Sequence, residues 1–470
     1  MQVSFIGLLV CTGILLLGCY FRAPLIIGLI VSLTFGATAV VTLSSLGGSS
    51  PLIFTFFAAL LVTAVAFRRR IWRHLGDVFG EIRPIWALCG LMLYAMVGAW
   101  LFPRFFAGDT IVFVQSTMRR GVVEAPLAPV SGNISQTGYF VLGGLTAIAL
   151  CVLLLHKDRM DQIRRAFLLS CGLHCGMGLI DLIGKLAGAG DVLRPIRTAN
   201  YAMLSEVKTG GFWRITGAAS EASAFGGGSL ACLAFCYVYW RKTKSRLAGG
   251  LAVLVLVLLA LSTSSVAYVG LAILSIPVAI SILRSFLSGR FDKTEILILT
   301  VVSLGVCMAL AIGLYDEGFF TPYVQLLDSM VINKGNSSSG QERAYWNAKS
   351  MEAFFETSGL GVGLGSSRAS SWPIAVASQL GLVGGLMMAV LLVVVFRGMG
   401  SLKQYIDPET NAVVSSVRAC ALASIVAGSL AGGSADPGIG FFIAVAVICA
   451  TRVRALGAST PDTRLPTQDS

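Results

Sequence analysis

Apolar runs of helix-spanning length alternate with short polar stretches along most of the chain. They fall near 3–20, 25–44, 51–67, 84–102, 137–155, 166–187, 222–240, 247–262, 266–283, 294–314, 373–396, 419–433 and 438–451. A run of this kind crosses about 30 Å of hydrocarbon as a helix. The pattern therefore predicts an all-α, polytopic integral membrane protein with thirteen transmembrane helices. The eighth and ninth runs are parted only by "STSS" at Ser262–Ser265, which implies a tight reversal or a broken helix. The first run, "MQVSFIGLLVCTGILLLGC", resembles a signal or lipoprotein peptide but has no Lys or Arg ahead of it. It reads as a retained first helix.

Charge orients the spans. Basic clusters lie at Arg68–Arg70 with Arg73, at Lys157–Arg165, at Arg241–Arg246, at Arg284–Lys293 and at Arg397–Arg418. Threading thirteen spans puts all of them on one side, with 23 of the 35 basic residues there, 11 in the loops on the other side and Lys185 within a span. The positive-inside rule makes that side cytoplasmic, with the amino terminus outside and the carboxyl terminus inside. Residues 1–452 then form one transmembrane unit, and the polar stretch 453–470 reads as a disordered cytoplasmic tail. The net charge of +12 does not point to nucleic acid, because the basic residues are spread between apolar runs rather than gathered in a patch. Only 12% of residues are charged and 56% are hydrophobic, unlike a soluble domain. All eleven cysteines sit in or at the ends of apolar segments, so no disulfide framework is implied. Cys171, His174 and Cys175 share a helix face, as metal ligands or as small packed residues.

Three long loops fall outside, near 103–136, 188–221 and 315–372. The third contains "GQERAYWNAKSMEAFF" (Gly340–Phe355), where Ala344, Ala348, Met351 and Phe355 mark one face of a helix. Tyr345, Trp346 and Phe354 widen that face, which predicts an amphipathic helix lying in the membrane interface. Before it, "NKGNSSSG" reads as a flexible linker. After it, "TSGLGVGLGSSRASS" places glycines at 359, 361, 363 and 365, with Arg368 following. This is either a tight turn or a loop whose amides approach a phosphate. The second outer loop carries Arg194, Arg197 and Arg214 close together, then Ser220 as a helix N-cap and Glu221 in the first turn. Several guanidinium groups near a glycine-softened turn fit an anionic ligand. Each arginine has a plain alternative as a headgroup-facing side chain, and Glu221 one as a complement to the helix dipole. Asp181 and Lys185, four apart within a span, read as an internal ion pair.

Absences narrow the chemistry. No G-x-x-x-x-G-K-[ST] stretch occurs, which argues against ATP-driven work. None of the three histidines falls in an outer loop. The outer loops hold no His/Asp/Glu cluster of metal-ligand spacing, so nothing points to a metal or another cofactor.

Three stretches, in this order, resemble the O-antigen ligase and polysaccharide-polymerase membrane proteins. They are "RITGAASEASAFGG" (Arg214–Gly227), "ALSTSSVAYVGLAIL" (Ala260–Leu274) and the segment from Glu342 to Leu386 containing "ERAYWNAKSMEAFF" and "GVGLG". The first half of the chain matches only as hydrophobic spans. The resemblance implies a GT-C-like glycosyltransferase at the outer face of the bacterial inner membrane, working on a glycan carried by undecaprenyl diphosphate. It implies diphosphate binding by Arg214 and Arg343, with Arg197 or Arg368 as further cations. Glu221 and Glu342 become the candidate catalytic carboxylates. Trp346, Tyr345, Gly361, Gly363 and Gly365 become substrate-binding candidates. Membrane lipid and a chain-length regulator are the further partners implied. Family members often have an arginine in the polar break, where this chain has Ser264–Ser265, and ligases commonly have a histidine in the large outer loop. Both are missing here, which favours a polymerase of polysaccharide repeat units over a ligase to lipid A-core. A flippase of lipid-linked sugars is the competing class; it would need more intramembrane charge and gives no reason for the long third loop.

Overall fold

The computed structural model describes residues 2–43, 48–116, 121–201, 203–209, 211–316 and 319–459. It is 73% helical. The expected polar tail beyond residue 459 lies outside the described residues, and the helix that precedes it runs past the expected boundary at 452. Among the described residues nine helices are long and apolar enough to cross a membrane, and three shorter apolar helices accompany them. This is the architecture of a multi-pass membrane protein.

The chain begins with strand β1 (Gln2–Val3) and helix α1 (Phe5–Tyr20), then turns into α2 (Pro24–Ser32). The expected second span, 25–44, is not one helix. α2 has 9 residues, which is about 14 Å and half the hydrocarbon depth. Residues 33–40 are not helical, and β2 (Val41–Thr42) pairs antiparallel with β1 beside the start of α1. Irregular backbone at membrane depth is tolerated only where protein satisfies its polar groups. Here the second loop does so. Thr38 Oγ1 donates to the Ile196 carbonyl at 2.7 Å, and the Ala39 amide donates to Thr198 Oγ1 at 3.0 Å. The Ala199 amide donates to the Ala37 carbonyl at 3.1 Å, and the Tyr201 hydroxyl to the Gly36 carbonyl at 2.7 Å.

α3 (Ile53–Ala66) leads into α4 (Ile71–Glu81), a polar-faced helix, and then into α5 (Pro84–Phe105). The loop between α5 and α6 holds a hairpin, β3 (Ile111–Ser116) with β4 (Gly121–Pro126), that departs from the all-α expectation. α6 (Ser131–His156) starts six residues before its apolar run because Asn133 Oδ1 accepts from the Val130 amide at 2.9 Å. α7 (Met160–Leu186) carries Asp181 and Lys185. A second small hairpin, β5 (Lys208–Thr209) with β6 (Phe212–Trp213), precedes α8 (Ala222–Thr243). α9 (Arg246–Leu261) and α10 (Ser265–Ser288) are parted at Ser262–Ser264, where Thr263 takes a left-handed φ of 45°. α11 (Lys293–Tyr315) is followed by the short α12 (Thr321–Leu327) and α13 (Ser338–Glu356). The bundle closes with α14 (Trp372–Arg397), α15 (Pro408–Ala431) and α16 (Ile439–Ser459). α15 starts eleven residues ahead of its apolar run, capped by Asp407 Oδ2 accepting from the Thr410 amide at 2.8 Å.

Small residues let the helices approach, as expected where lipid removes the hydrophobic drive between them. α8 and α15 pack with Gly227 against Ala427, leaving 3.2 Å between a Cβ at Gly227 and the Ala427 Cβ. α14 is broken at Gly381, whose φ of 63° and ψ of −166° are outside the helical range. A Cβ there would stand 2.2 Å from the Leu360 carbonyl oxygen, so only glycine fits. The break releases the Ser378 and Gln379 carbonyls, which accept from the Val362 amide at 2.8 Å and the Gly363 amide at 3.1 Å.

The predicted Asp181–Lys185 pair exists and is larger than a pair. Lys185 Nζ lies 2.8 Å from Asp181 Oδ2, and Arg197 lies 3.4 Å from Asp181 Oδ1 while also binding Asp191. Asp181 Oδ2 accepts further from the Thr216 and Gly217 amides at 2.7 and 3.1 Å. Asp181 is fully buried, and Lys185 and Arg197 nearly so. Removing one member of such a network leaves an uncompensated buried charge, at a cost of about 3–5 kcal/mol. Asp181→Ala is therefore expected to lower the thermal stability of the purified protein by an amount of that order. An unchanged unfolding midpoint would contradict this account of the network.

Candidate functional site

The loops 188–221 and 315–372 meet near the start of α8 and bring three cations together. Arg214 follows the β5–β6 hairpin, in which Lys208 Nζ lies 4.2 Å over the Trp213 ring. Its carbonyl accepts from Lys185 Nζ at 2.7 Å, so the buried ion network fixes the backbone of this loop. Phe212 packs on Tyr323 of α12 at 5.3 Å between ring centroids, joining the hairpin to the third loop. From α12 the chain runs through a π turn at Asp328–Ile332 and a 3₁₀ turn at Asn333–Asn336. Ser337 then caps α13, its Oγ accepting from the Gly340 amide at 3.2 Å. The expected flexible linker is thus folded into turns, and these turns bring Lys334 toward Arg343.

The electrostatics report the grouping. Burial lowers the Arg214 pKa from its ordinary value; Glu221 pulls it back up and Arg343 pushes it further down. Burial also lowers the Lys334 pKa, with Arg343 and then Arg214 adding to the effect. Three cations and one carboxylate therefore share a partly desolvated space, with an excess of positive charge. Arg214 Nε is buried with no hydrogen-bond partner. Thr263 Oγ1 and Ser264 Oγ, in the α9–α10 reversal, are buried and unpartnered as well. Ser264 Oγ stands 3.3 Å from where a Cβ would sit at Gly226, five residues along α8 from Glu221. Such an arrangement attracts an oxyanion, since guanidinium forks match its oxygens and the surroundings weaken competition from water.

Glu221 is itself the N-cap residue of α8, one position later than the expected Ser220 cap, and its side chain caps no amide. The carboxylate accepts from the Ser223 hydroxyl and provides Arg214 with a counter-charge. Glu342 is exposed on α13 beside Arg343. The other expected residues are placed differently. Arg197 is buried in the Asp181 network, its guanidinium given to Asp191, Thr216 and the Gly217 carbonyl. Arg368 lies across Gly433, its Nε 2.8 Å from a Cβ position there. Tyr345 and Trp346 pack on Phe113 of the β3 strand, with centroid distances of 5.8 and 5.9 Å. Glu124 on β4 raises the Tyr345 phenol pKa through a hydrogen bond.

α13 turns a different face inward from the one its apolar spacing predicts. Ser350 and Ala353 are buried and Trp346 and Asn347 half-buried, whereas Ala344, Ala348 and Phe355 are exposed. The inward face is used for polar fixing: Asn347 Oδ1 accepts from the Ser370 amide at 2.9 Å. In a membrane protein an apolar face can point outward, so periodicity alone does not give the packing direction.

The glycine turn resolves in favour of a brace. The Gly361 amide donates to Thr357 Oγ1 at 3.2 Å, Gly363 to the Gln379 carbonyl at 3.1 Å and Gly365 to Gln379 Oε1 at 3.4 Å. None of these three amides is left for a ligand. Gly363 has a φ of 89°, and a Cβ on it would stand 2.7 Å from the Gly98 carbonyl of α5. The turn interlocks with α5, with the start of α6 and with the break in α14. Among the described residues no group of three or more His, Cys, Asp or Glu side chains could hold a metal ion.

No family model matches this chain, and comparison with curated proteins finds no match.

Lys334 is the cluster member that sequence reading missed. It sits in a Ser/Asn/Gly-rich run that looks like a linker, and only the turns at 328–336 carry it to Arg343. The brace has a testable consequence. Gly363→Ala is expected to destabilise the purified protein by about 1–3 kcal/mol, the usual cost of a strained backbone position, read as a lower unfolding midpoint. Wild-type stability with a selective loss of phosphate binding would show instead that the glycine faces a ligand.

Proposed function

We propose that this chain is a membrane glycosyltransferase that polymerises lipid-linked polysaccharide repeat units. The observation that carries the reading is the cluster of Arg214, Lys334 and Arg343, with Glu221 as the carboxylate that acts on Arg214. An excess of partly buried positive charge suits a diphosphate, and most of all a diphosphate that gains charge as a leaving group. The donor is a glycan on undecaprenyl diphosphate, whose lipid tail the surrounding membrane accommodates. The resemblance of Arg214–Gly227, Ala260–Leu274 and Glu342–Leu386 to O-antigen polymerases and ligases supports the same reading. In this reading the basic helix ends face the cytoplasm, and the cluster lies at the outer face of the bacterial inner membrane.

The reaction follows from the charges. The acceptor hydroxyl attacks the anomeric carbon from the face opposite the diphosphate and inverts it, giving up its proton to a carboxylate of the site. The bond from that carbon to the phosphate oxygen breaks, and its electron pair leaves with the polyprenyl diphosphate. Arg214, Lys334 and Arg343 stabilise the leaving charge, while Glu221 keeps Arg214 in place. The sugar–phosphate bond supplies the energy, in keeping with the absence of a P-loop motif.

Cells carrying Arg214→Ala or Arg343→Ala, at normal protein levels, are expected to lose long polymer and to accumulate single lipid-linked repeat units on the outer face. Wild-type polymer length from both variants would sink the reading. Accumulation on the inner face in a deletion strain would mark a flippase instead.

A further inference from the structure

A second concavity lies between the first turn of α14, the last turns of α15 and the α15–α16 loop. Its volume is about 190 Å³, and Trp372, Ser424, Gly428, Gly433, Ser434 and Asp436 are among the residues that line it. Asp436 was not among the residues singled out from sequence. Its Oδ1 accepts from the Gly438 amide at 2.8 Å, which alone would make it a turn-forming residue. That bond is made through Oδ1, and the side chain lines the cavity.

The surrounding loop is held from several sides. Trp372 Nε1 donates to the Ala435 carbonyl at 3.1 Å, Gln379 Nε2 to the Gly433 carbonyl at 3.3 Å, and Ser434 Oγ to Gln136 Oε1 at 2.6 Å. These contacts come from α14 and α6. Arg368, lying across Gly433, is the charged side chain they bring near the loop. Burial pushes the Asp436 carboxyl up to about 6, with the Gly438 amide opposing the shift.

The cavity is joined to the cationic cluster through two packed elements, α8 and α13. Its Gly428 is next to Ala427, which packs on Gly227 of α8, six residues from Glu221. From the other side, Asn347 is one helical turn from Arg343 on α13, and it binds the Ser370 amide two residues before Trp372. A carboxylate, two serines, backbone groups and an indole edge make a saccharide-binding chemistry: hydrogen bonds to hydroxyls beside a hydrophobic wall.

We propose that this cavity is the acceptor-sugar subsite and that Asp436 takes the proton of the attacking hydroxyl. This rests on the diphosphate reading above for the reaction, but not for the binding of sugar. As the acceptor oxygen bonds to the anomeric carbon, its proton passes to Asp436 Oδ2. The electron pair of the broken bond leaves on the diphosphate, and Asp436 later releases the proton to water. Glu221, engaged as the counter-charge of Arg214, is spared this task. A base titrating close to the working pH is the efficient kind.

The test uses the full chain in lipid vesicles, with a polyprenyl-diphosphate-linked oligosaccharide as donor. Asp436→Asn is expected to cut transfer on the order of 10²-fold while binding the donor as the wild type does. The active form is the ionised carboxylate, so the wild-type rate should rise as pH increases through about 6, and the variant should lack that step. Asp436→Glu should restore part of the rate. Asp436→Asn turning over at the wild-type rate, or keeping the pH step, would overturn the proposal. A separate titration with free oligosaccharides released from the cell's own polysaccharide keeps the two readings apart. Asp436→Asn should weaken that binding at least about tenfold, the scale of a lost charge-assisted hydrogen bond, and Arg343→Ala should leave it unchanged. If the donor fails to bind the wild type, the diphosphate reading falls, and the subsite then stands on saccharide binding alone. Equal saccharide binding by wild type and Asp436→Asn removes the subsite whatever the donor result.

Discussion

Positive charge held away from water without enough negative charge to match is the constraint around which this structure is arranged. Arg214, Lys334 and Arg343 repel one another, and burial makes the repulsion harder to screen. One carboxylate, Glu221, does not balance them. Left alone, such groups would separate toward solvent. They stay together because each is fixed by something other than its own charge. The Arg214 backbone is tied to the buried Asp181–Lys185–Arg197 network. Lys334 is carried by consecutive turns, and Arg343 by a helix whose inner face is bonded to the segment after it. Perturbed charges gathered in one place are where functional sites are commonly found.

The framework that holds the cluster depends on interlocked breaks in regular structure. α2 ends after 9 residues, and the loop carrying Thr198, Ala199 and Tyr201 satisfies the non-helical backbone of residues 36–39. α14 breaks at Gly381, and the freed carbonyls accept the amides of the glycine turn. In both places a defect in one helix is filled by a loop distant in sequence or by the neighbouring turn. The loops are therefore bound into the bundle rather than laid over it. This is how residues far apart in sequence can be fixed relative to one another at the edge of a membrane, where an exposed loop backbone could not enter.

Much of the architecture was legible in the sequence because membrane helices announce themselves by composition. The ion pair of Asp181 and Lys185 was legible too, since charges four apart on an apolar helix have little choice but to meet. Helix starts at Ser131 and Pro408 were not, because their first turns are polar and were read as loop. The break after α2 was hidden because hydropathy continues through residues 33–44 and the groups that satisfy it are more than 150 positions away. The inward face of α13 is not legible in the sequence, because apolar spacing does not distinguish protein from lipid. Arg214, Glu221 and Arg343 were reached through motif resemblance and are placed together by the fold. Lys334 and Asp436 were invisible, each a lone charge in a run of small polar residues whose folding depends on distant contacts.

The central claim is that the three-cation cluster holds a diphosphate. Titrating the purified protein with a short-chain, water-soluble polyprenyl diphosphate, and separately with its monophosphate, tests it most directly. The account predicts that the diphosphate binds at least about tenfold tighter, the scale of an added charge-assisted hydrogen bond. It also predicts that Arg214→Gln, Lys334→Gln and Arg343→Gln combined in one folded variant abolish the difference. Equal binding of the two ligands by the wild type, or an unchanged preference in the triple variant, would contradict it.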